Sequence, residues 1–342
     1  MGNSIFDIVE KNTRWIYSKF GKDFVITSRV RLARNIKGYP FPYNMTYQES
    51  KEVEDILIDI FLKMSSKNIF IINISSLQEK EKRILIERHL ISKEFSEIGP
   101  YSKVIIMPKK RLTIMINEED HLRIQVIYPG LNLKKCWKIA NEIDNYIGEK
   151  LEYAFSEKFG FLTACPTNIG TGLKASVLIN IPGIKFLKRE KLIFNMIKKI
   201  GITIRGFYGE GSLPFGSIYQ LASFESIGKT EEEIIEEIED VVKLIEEEEM
   251  ECLEKIKRDE NLKIKIYNRI IKICKDTNSD ISKLYPLISL AFNIGVLKIE
   301  EKEFKNLFFS LLDGYEKIDN NFNFHKKEGK ILKRKVWEII NV

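Results

Sequence analysis

The chain lacks any apolar run approaching the ~18–20 residues needed to span a bilayer. Its first residues, Met1-Gly2-Asn3-Ser4-Ile5-Phe6, contain no apolar signal core, and Phe6 stands where a myristoylation signal wants Ser or Thr. A secreted or membrane-bound protein is therefore not expected. The four cysteines (Cys136, Cys165, Cys252, Cys274) are widely spaced and form no C-x-x-C pair. That argues against a zinc site or disulfide framework and for a reducing, cytoplasmic setting. Also missing are a G-x-G-x-x-G fingerprint and a kinase H-R-D. Gly228-Lys229-Thr230 looks like the end of a phosphate loop, but Ser223 occupies the place of its first glycine. If the protein handles a nucleotide, it holds the phosphates another way. No internal repeat or low-complexity linker divides the chain.

What is present is charge, unevenly placed. The net charge of +6 over 342 residues contains −12 within residues 231–254, so the remainder carries +18. A basic body suits nucleic acid or one polyphosphate pocket, and a lysine-rich surface explains much of it without either. The acidic run reads as the solvated face of an amphipathic helix capped at Thr230, with Ile234, Ile235, Ile238, Val241, Val242 and Ile245 on its apolar side.

Other segments give a coarse order. Asn68–Ile72 predicts a short strand, and Ser76-Leu77-Gln78-Glu79 a capping box opening a helix to about Ser92. Val104–Met107, Leu112–Ile116 and Leu122–Ile127 are joined too tightly for parallel crossovers, so they must be antiparallel. A helix is expected over Cys136–Leu151, strands at Phe161–Ala164, Ala175–Ile179 and Ile202–Ile204, and a helix over Lys188–Ile200. From about Asp259 the pattern is helical throughout. The fold class is α+β: a mostly antiparallel sheet flanked by helices, then a small all-α domain, with the division at 1–255 and 256–342.

Four blocks carry chemistry. Thr27-Ser28-Arg29-Val30-Arg31-Leu32-Ala33-Arg34 puts Arg29 and Arg31 two apart, so a strand turns both guanidinium forks to one face. Alone, such a run is more often a basic surface strand. Asn117-Glu118-Glu119-Asp120-His121-Leu122-Arg123 is an acidic turn that ends in another arginine. Cys165-Pro166-Thr167-Asn168-Ile169-Gly170-Thr171-Gly172-Leu173-Lys174-Ala175-Ser176 mounts a thiol on a turn-rich loop between strands. Arg205-Gly206-Phe207-Tyr208-Gly209-Glu210-Gly211-Ser212 is a glycine-rich stretch with one arginine and one carboxylate.

Together and in this order, the four blocks resemble the phosphagen (guanidino) kinases over roughly residues 20–255. Within that family the chain is most similar to the bacterial protein arginine kinases. The resemblance implies a glutamine-synthetase-like catalytic domain that transfers the γ-phosphoryl of ATP to a guanidinium nitrogen, with Mg2+ held mainly through the nucleotide. It assigns phosphate binding to Arg29, Arg31, Arg123 and Arg205. It places Ser28, Val30, His89, Lys174, Ala175, Ser176, Val177, Gly206 and Gly209 around the nucleotide. Glu119 and Glu210 would grip the guanidinium and one would take its proton, with Cys165 beside it. These roles answer a real difficulty, since a guanidinium is fully protonated at neutral pH and a poor nucleophile until oriented and relieved of a proton.

The resemblance further implies protein substrates bearing arginine, a zinc-binding activator of the McsA type, a heat-shock repressor and Clp protease as partners, and a homodimer. It implies no nucleic acid and no membrane. Lys174 departs from the family's arginine and Leu213 from its common glutamate, and Lys326–Val342 holds no clean R-D-x-x-R-A motif. Those departures keep open a non-catalytic adaptor for arginine-rich or phosphoarginine-marked clients. A kinase of free guanidino compounds is the other alternative, and a nucleic-acid binder a more distant one.

Overall fold

Strict alternation in one strand organises the molecule. In β1 (Val25–Arg34) the residues Val30 and Leu32 face one way and Arg29 and Arg31 the other. β1 pairs antiparallel with β5 (Leu122–Pro129) on one side and β8 (Leu173–Asn180) on the other. Outward from β5 come β4 (Leu112–Ile116), β3 (Lys103–Met107) and β2 (Phe70–Asn73); outward from β8 come β10 (Ile218–Ser223) and β9 (Ile202–Arg205). All neighbours in this eight-stranded sheet are antiparallel, as the short connections demand. The computed structural model describes residues 23–64, 69–99, 101–207, 216–276, 283–306, 315–318, 321–324 and 333–338, together with residues 9 and 18.

The two faces of the sheet are covered differently. Val30, Leu32, Ile114, Ile124, Ala175, Val177 and Leu221 pack in one continuous core with α1 (Tyr47–Lys63), α3 (Leu133–Gly148) and α6 (Glu231–Arg258). The opposite face has two separate apolar patches. One gathers Val104, Ile106 and Met115 under Leu85 of α2 (Glu79–Glu87), Leu90 and Phe95. The other joins Ile26, Ile127, Leu178, Phe207 and Ile218 to α7 (Glu260–Lys275) and α8 (Leu284–Asn293). Between them the face is polar, and the arginines lie there.

Several boundaries shift from the sequence expectation, each for a local reason. The helix expected from Ser76 starts at Glu79, because Gln78 and Glu81 make the reciprocal capping pair while Ser76 ends a single turn begun after Asn73. It stops at Glu87 rather than near Ser92, since His89 takes a left-handed φ of 54°. The Cys136–Leu151 helix runs Leu133–Gly148. Of the expected Phe161–Ala164 strand only Phe161 lies in a paired strand, β7 (Gly160–Phe161) against β6 (Phe155–Ser156); beyond it, the Leu162 carbonyl accepts from Asn35 Nδ2 and the Ala164 amide donates to Asp120. The Lys188–Ile200 helix runs Glu190–Lys199 (α5), and a short helix not expected from the sequence, α4 (Pro182–Phe186), precedes it, the two separated where Lys188 has φ 60°.

The acidic helix follows its expectation: Thr230 and Glu233 cap each other and the periodic isoleucines and valines are buried. It runs unbroken to Arg258, so the 255/256 division falls inside it. The C-terminal part is largely helical but includes an antiparallel ribbon, β11 (Tyr315–Ile318) with β12 (Asn321–Phe324). Asn-Phe-Asn-Phe in β12 alternates with period two, a strand signal inside a stretch expected to be helical.

Candidate active site

Strand register assembles the polar band. Thr27, Arg29 and Arg31 project from β1, Arg123 from β5, Lys174 and Ser176 from β8, Gln220 from β10 and Arg205 from β9. Arg31 sits opposite Lys174, Arg29 opposite Ser176, and Gln220 opposite Arg205. Arg123 pairs with Ala33, one step along the same face. Arg29 Nε donates to Ser176 Oγ at 3.3 Å, and Gln220 Nε2 donates to the same hydroxyl at 3.3 Å.

These cations repel one another. Burial, then Arg123 and Arg205, push the Arg29 pKa down to about 9. Burial, Arg29 and Arg123 push Arg31 well below its usual value against the pull of Glu118. Arginine does not give up its proton in proteins, so the repulsion persists until an anion relieves it. Arg31 Nε is buried and has no hydrogen-bond partner. An unmade donor of this kind is costly, and a phosphate oxygen is its natural acceptor. Burial works against charge on Arg123 as well, but Glu118 outweighs it and raises that pKa.

The acidic turn divides its labour. Glu118 is buried, ion-paired with Arg123 and bonded by Ser92 Oγ at 2.7 Å. Burial opposes its charge, yet Arg123 and Ser92 prevail and lower its pKa. Asp120 accepts from Asn35 Nδ2 at 2.6 Å and from the Ala164 amide at 2.7 Å, which straps the turn to the residue before Cys165. Glu119 alone reaches solvent. Partial burial, then Asp120 and Glu118, raise its pKa against the attraction of Arg123 and Lys174. A carboxylate raised in this way and left accessible is suited to accept a proton.

Cys165 is half-buried at the start of a one-turn helix, Pro166–Asn168, and its Sγ lies 3.1 Å from Thr167 Oγ1. Its loop is fixed from three sides. Ser226 Oγ donates to the Asn168 and Ile169 carbonyls. Gly170, at φ 116°, lies so close to Ser226 that a Cβ would sit 2.7 Å from its carbonyl oxygen. Thr171 O accepts from Arg34 Nη1 at 2.8 Å.

A small cleft opens beside Arg29, lined by Thr27, His89, Ile127, Ser176, Phe207 and Gln220 among others. His89 packs edge-on against Phe207 at 5.1 Å. Burial, then Arg29 and Arg88, drive its pKa down to about 3, so it is neutral at physiological pH. Charged guanidinium groups at one end and flat apolar walls at the other suit a nucleotide.

The structure thus brings together Arg29, Arg31, Arg123, Lys174, Ser176, Arg205 and His89, with Glu119 and Cys165 on adjoining loops. Other sequence candidates face elsewhere. Ser28 is on the opposite face, donating to Gly130 O and accepting from the Asn132 amide, both at 2.8 Å. Val30 and Ala175 belong to the helix-side core, as does Val177, which also borders the cleft. Gly206 is buried just past Arg205. Gly209 and Glu210 lie outside the described residues, as does Leu213. Sequence reading missed Thr27, Ile127, Phe207 and Gln220 as cleft walls. It also missed Glu118, Asp120 and Asn35 as braces. Period-two alternation from Arg29 would have found Thr27; the Asn35–Asp120 brace joins residues 85 apart and leaves no local trace.

A sheet face that gathers mutually repelling guanidinium groups beside an accessible carboxylate is chemically suited to hold phosphates next to a cationic acceptor. Residues 52–252 match the family model described as ATP:guanido phosphotransferase, C-terminal catalytic domain. The chain is 37% identical over 264 residues to the protein-arginine kinase of Halothermothrix orenii, covering 77% of this chain and 76% of that protein. It is 41% identical over 232 residues to that of a Geobacillus species, covering 67% and 64%. The duplicated taurocyamine kinase of Schistosoma mansoni superposes with a TM-score of 0.61 at 25% identity, over 72% of this chain and 36% of that one. Lombricine kinase has the same fold, with a TM-score of 0.61 at 24% identity over 73% and 72%. The chain belongs to the ATP:guanido phosphotransferase family and is an ATP-dependent phosphotransferase.

Proposed function

We propose that the protein phosphorylates arginine side chains of proteins, using the γ-phosphoryl of Mg-ATP. The observation that carries this reading is the crowd of half-buried, mutually repelling guanidinium groups with Glu119 at its edge. Arg29, Arg31, Arg123 and Arg205 hold the phosphates and offset the charge on the transferring group. Glu119 pairs with the substrate guanidinium and aims a nitrogen at the γ-phosphorus. The bond from the γ-phosphorus to the ADP oxygen breaks, a P–N bond forms, and the nitrogen's proton passes to a carboxylate, Glu119 or Glu210. Positioning and charge supply the acceleration. Mg2+ would enter on the nucleotide and share its negative charge; among the described residues no cluster of three or more His, Cys, Asp or Glu is placed to bind a metal. Cys165 would stand beside the guanidinium without becoming a covalent intermediate.

The names of the relatives at 37–41% identity support a protein substrate over a small guanidine. A cytoplasmic role in stress-related protein quality control, with a zinc-binding activator, a heat-shock repressor and Clp protease as partners, belongs to the same proposal, as does a homodimer. No described helix is long and apolar enough to cross a membrane. The test is incubation with ATP and an unstructured protein, followed by mass spectrometry under conditions that preserve the P–N bond. Phosphate on arginine residues is expected, and Glu119→Gln should lose most of it. Label on free arginine alone would move the assignment to a kinase of small guanidines. Absence of nucleotide binding would leave only the adaptor.

A further inference from the structure

We infer that the rim around Glu119 and Cys165 is a docking surface for an extended polypeptide. Aromatic side chains on two flanks take apolar residues next to the target arginine. This rests on the protein-arginine reading above.

The first flank clamps the Glu119 turn at both ends. Asn117 Nδ2 donates to the Ser50 and Tyr101 carbonyls at 2.8 and 3.0 Å. His121 Nδ1 accepts the Ile36 amide at 3.0 Å, so its proton is on Nε2, which donates to Pro40 O at 2.7 Å. The segment so held presents Tyr43 and Tyr47 at 72% and 67% exposure. Neither hangs loose: Tyr43 stacks on Phe41 at 6.3 Å, and Tyr47 meets Tyr101 edge-on at 4.4 Å.

The second flank adjoins the Cys165 loop. β7 bridges to Gly170, and the β6–β7 hairpin exposes Phe155 (57%) and Phe159 (45%), with Phe155 edge-on to Phe161 at 5.2 Å. The flanks share a root. Lys37 N donates to Glu152 O, Ala154 N donates to Asn35 O, and Ile36 bridges antiparallel to Tyr153. Antiparallel pairing sends the two segments away in opposite directions. Asn35 between them holds both Asp120 and the Leu162 carbonyl.

Large aromatics left exposed yet ordered around a polar mouth are the anchors of a binding surface, because little side-chain freedom remains to be lost when they are covered. An arginine that reaches Glu119 brings its own backbone to the rim. An extended chain advances ~3.3 Å per residue, so side chains a few positions either side of that arginine fall on the flanks. A small guanidine would fill the pocket and leave both flanks wet.

The test uses the full chain and two double variants, Tyr43→Ser/Tyr47→Ser and Phe155→Ser/Phe159→Ser. The probes are two unstructured peptides, each with one arginine, flanked by leucines in one and serines in the other. Anisotropy without nucleotide should show the wild type preferring the leucine peptide, and each double variant binding it roughly tenfold more weakly, the equivalent of about 1.4 kcal/mol. In turnover, KM for that peptide should rise with kcat little changed, and phosphorylation of free arginine should not move. Equal binding of the two peptides by the wild type, or unweakened binding by both double variants, overturns the inference. Failure of the wild type to make phosphoarginine is a separate result that removes the functional reading, and the anisotropy arm still decides whether the surface binds polypeptide.

Discussion

β1 carries two kinds of arginine three residues apart, Arg34 fully buried and Arg31 partly so. Arg34 turns toward α3, where Asp144 takes its Nε and Nη2, the Ala33 and Thr171 carbonyls take Nη1, and the Phe161 ring lies 3.5 Å from its guanidinium carbon. Gly172 leaves it room, since a Cβ there would stand 2.5 Å from Nη1. Arg31 turns the other way, toward like charges, with a donor unmet. The same side chain is thus an internal brace on one face of the strand and an unfilled demand for an anion on the other. Compensation, not residue type, separates the two here.

Substitution is the sharpest way to break that contrast. Arg34→Met strands Asp144 in the core and should cost about 3–5 kcal/mol of stability, read from chemical denaturation. Arg31→Met removes a repelled charge and should leave the melting temperature without nucleotide unchanged or higher. Phosphoryl transfer should fall about 10²–10³-fold, or roughly 3–4 kcal/mol, as when one preorganised donor is lost from a transition-state site. A large drop in melting temperature would put Arg31 with Arg34 and end the distinction.

His89 gives a pH-dependent version of the same contrast. Its folded pKa of about 3 is below the unfolded value of about 6.5, so the unfolded chain binds the extra proton between these limits. Its contribution to stability is complete above pH 6.5 and is lost as pH falls toward 3. From pH 6.5 to 5 that loss is about 2 kcal/mol. His89→Asn, which tolerates the left-handed backbone, should flatten the acid limb of denaturation curves by that amount. Smallest is Lys174→Arg. Restoring a planar fork opposite Arg31 should lower the KM for nucleotide a few-fold, under about 1 kcal/mol. A higher KM would show the added bulk to be crowding the band.

Much of this was legible in the sequence because sheets obey local rules. The alternation of Arg29 and Arg31, the tight spacing of β3, β4 and β5 and the Thr230 cap each follow from a few adjacent residues. What escaped was set by distant partners. No local signal says that Glu118 is consumed by Arg123 and Ser92, or that Asp120 anchors Ala164, while Glu119 stays open. Family resemblance groups Ser28, Arg29, Val30 and Arg31 as one set, whereas the pleat of the strand turns Ser28 and Val30 to the opposite face from the two arginines. His89, a non-glycine residue in left-handed backbone, ended one helix early where composition gave no warning.

The unbroken course of α6 has a consequence for where this protein can be cut. Its residues Ile234 to Cys252 seal the helix-side core, and Ile256, one turn on, seals the other cluster. A chain severed at 255 would bare Ile26, Ile127, Leu178, Phe207 and Ile218 to water, stripping apolar support from the cleft beside Arg29. The last quarter of the chain thus helps wall the cleft and is not an annex built onto it.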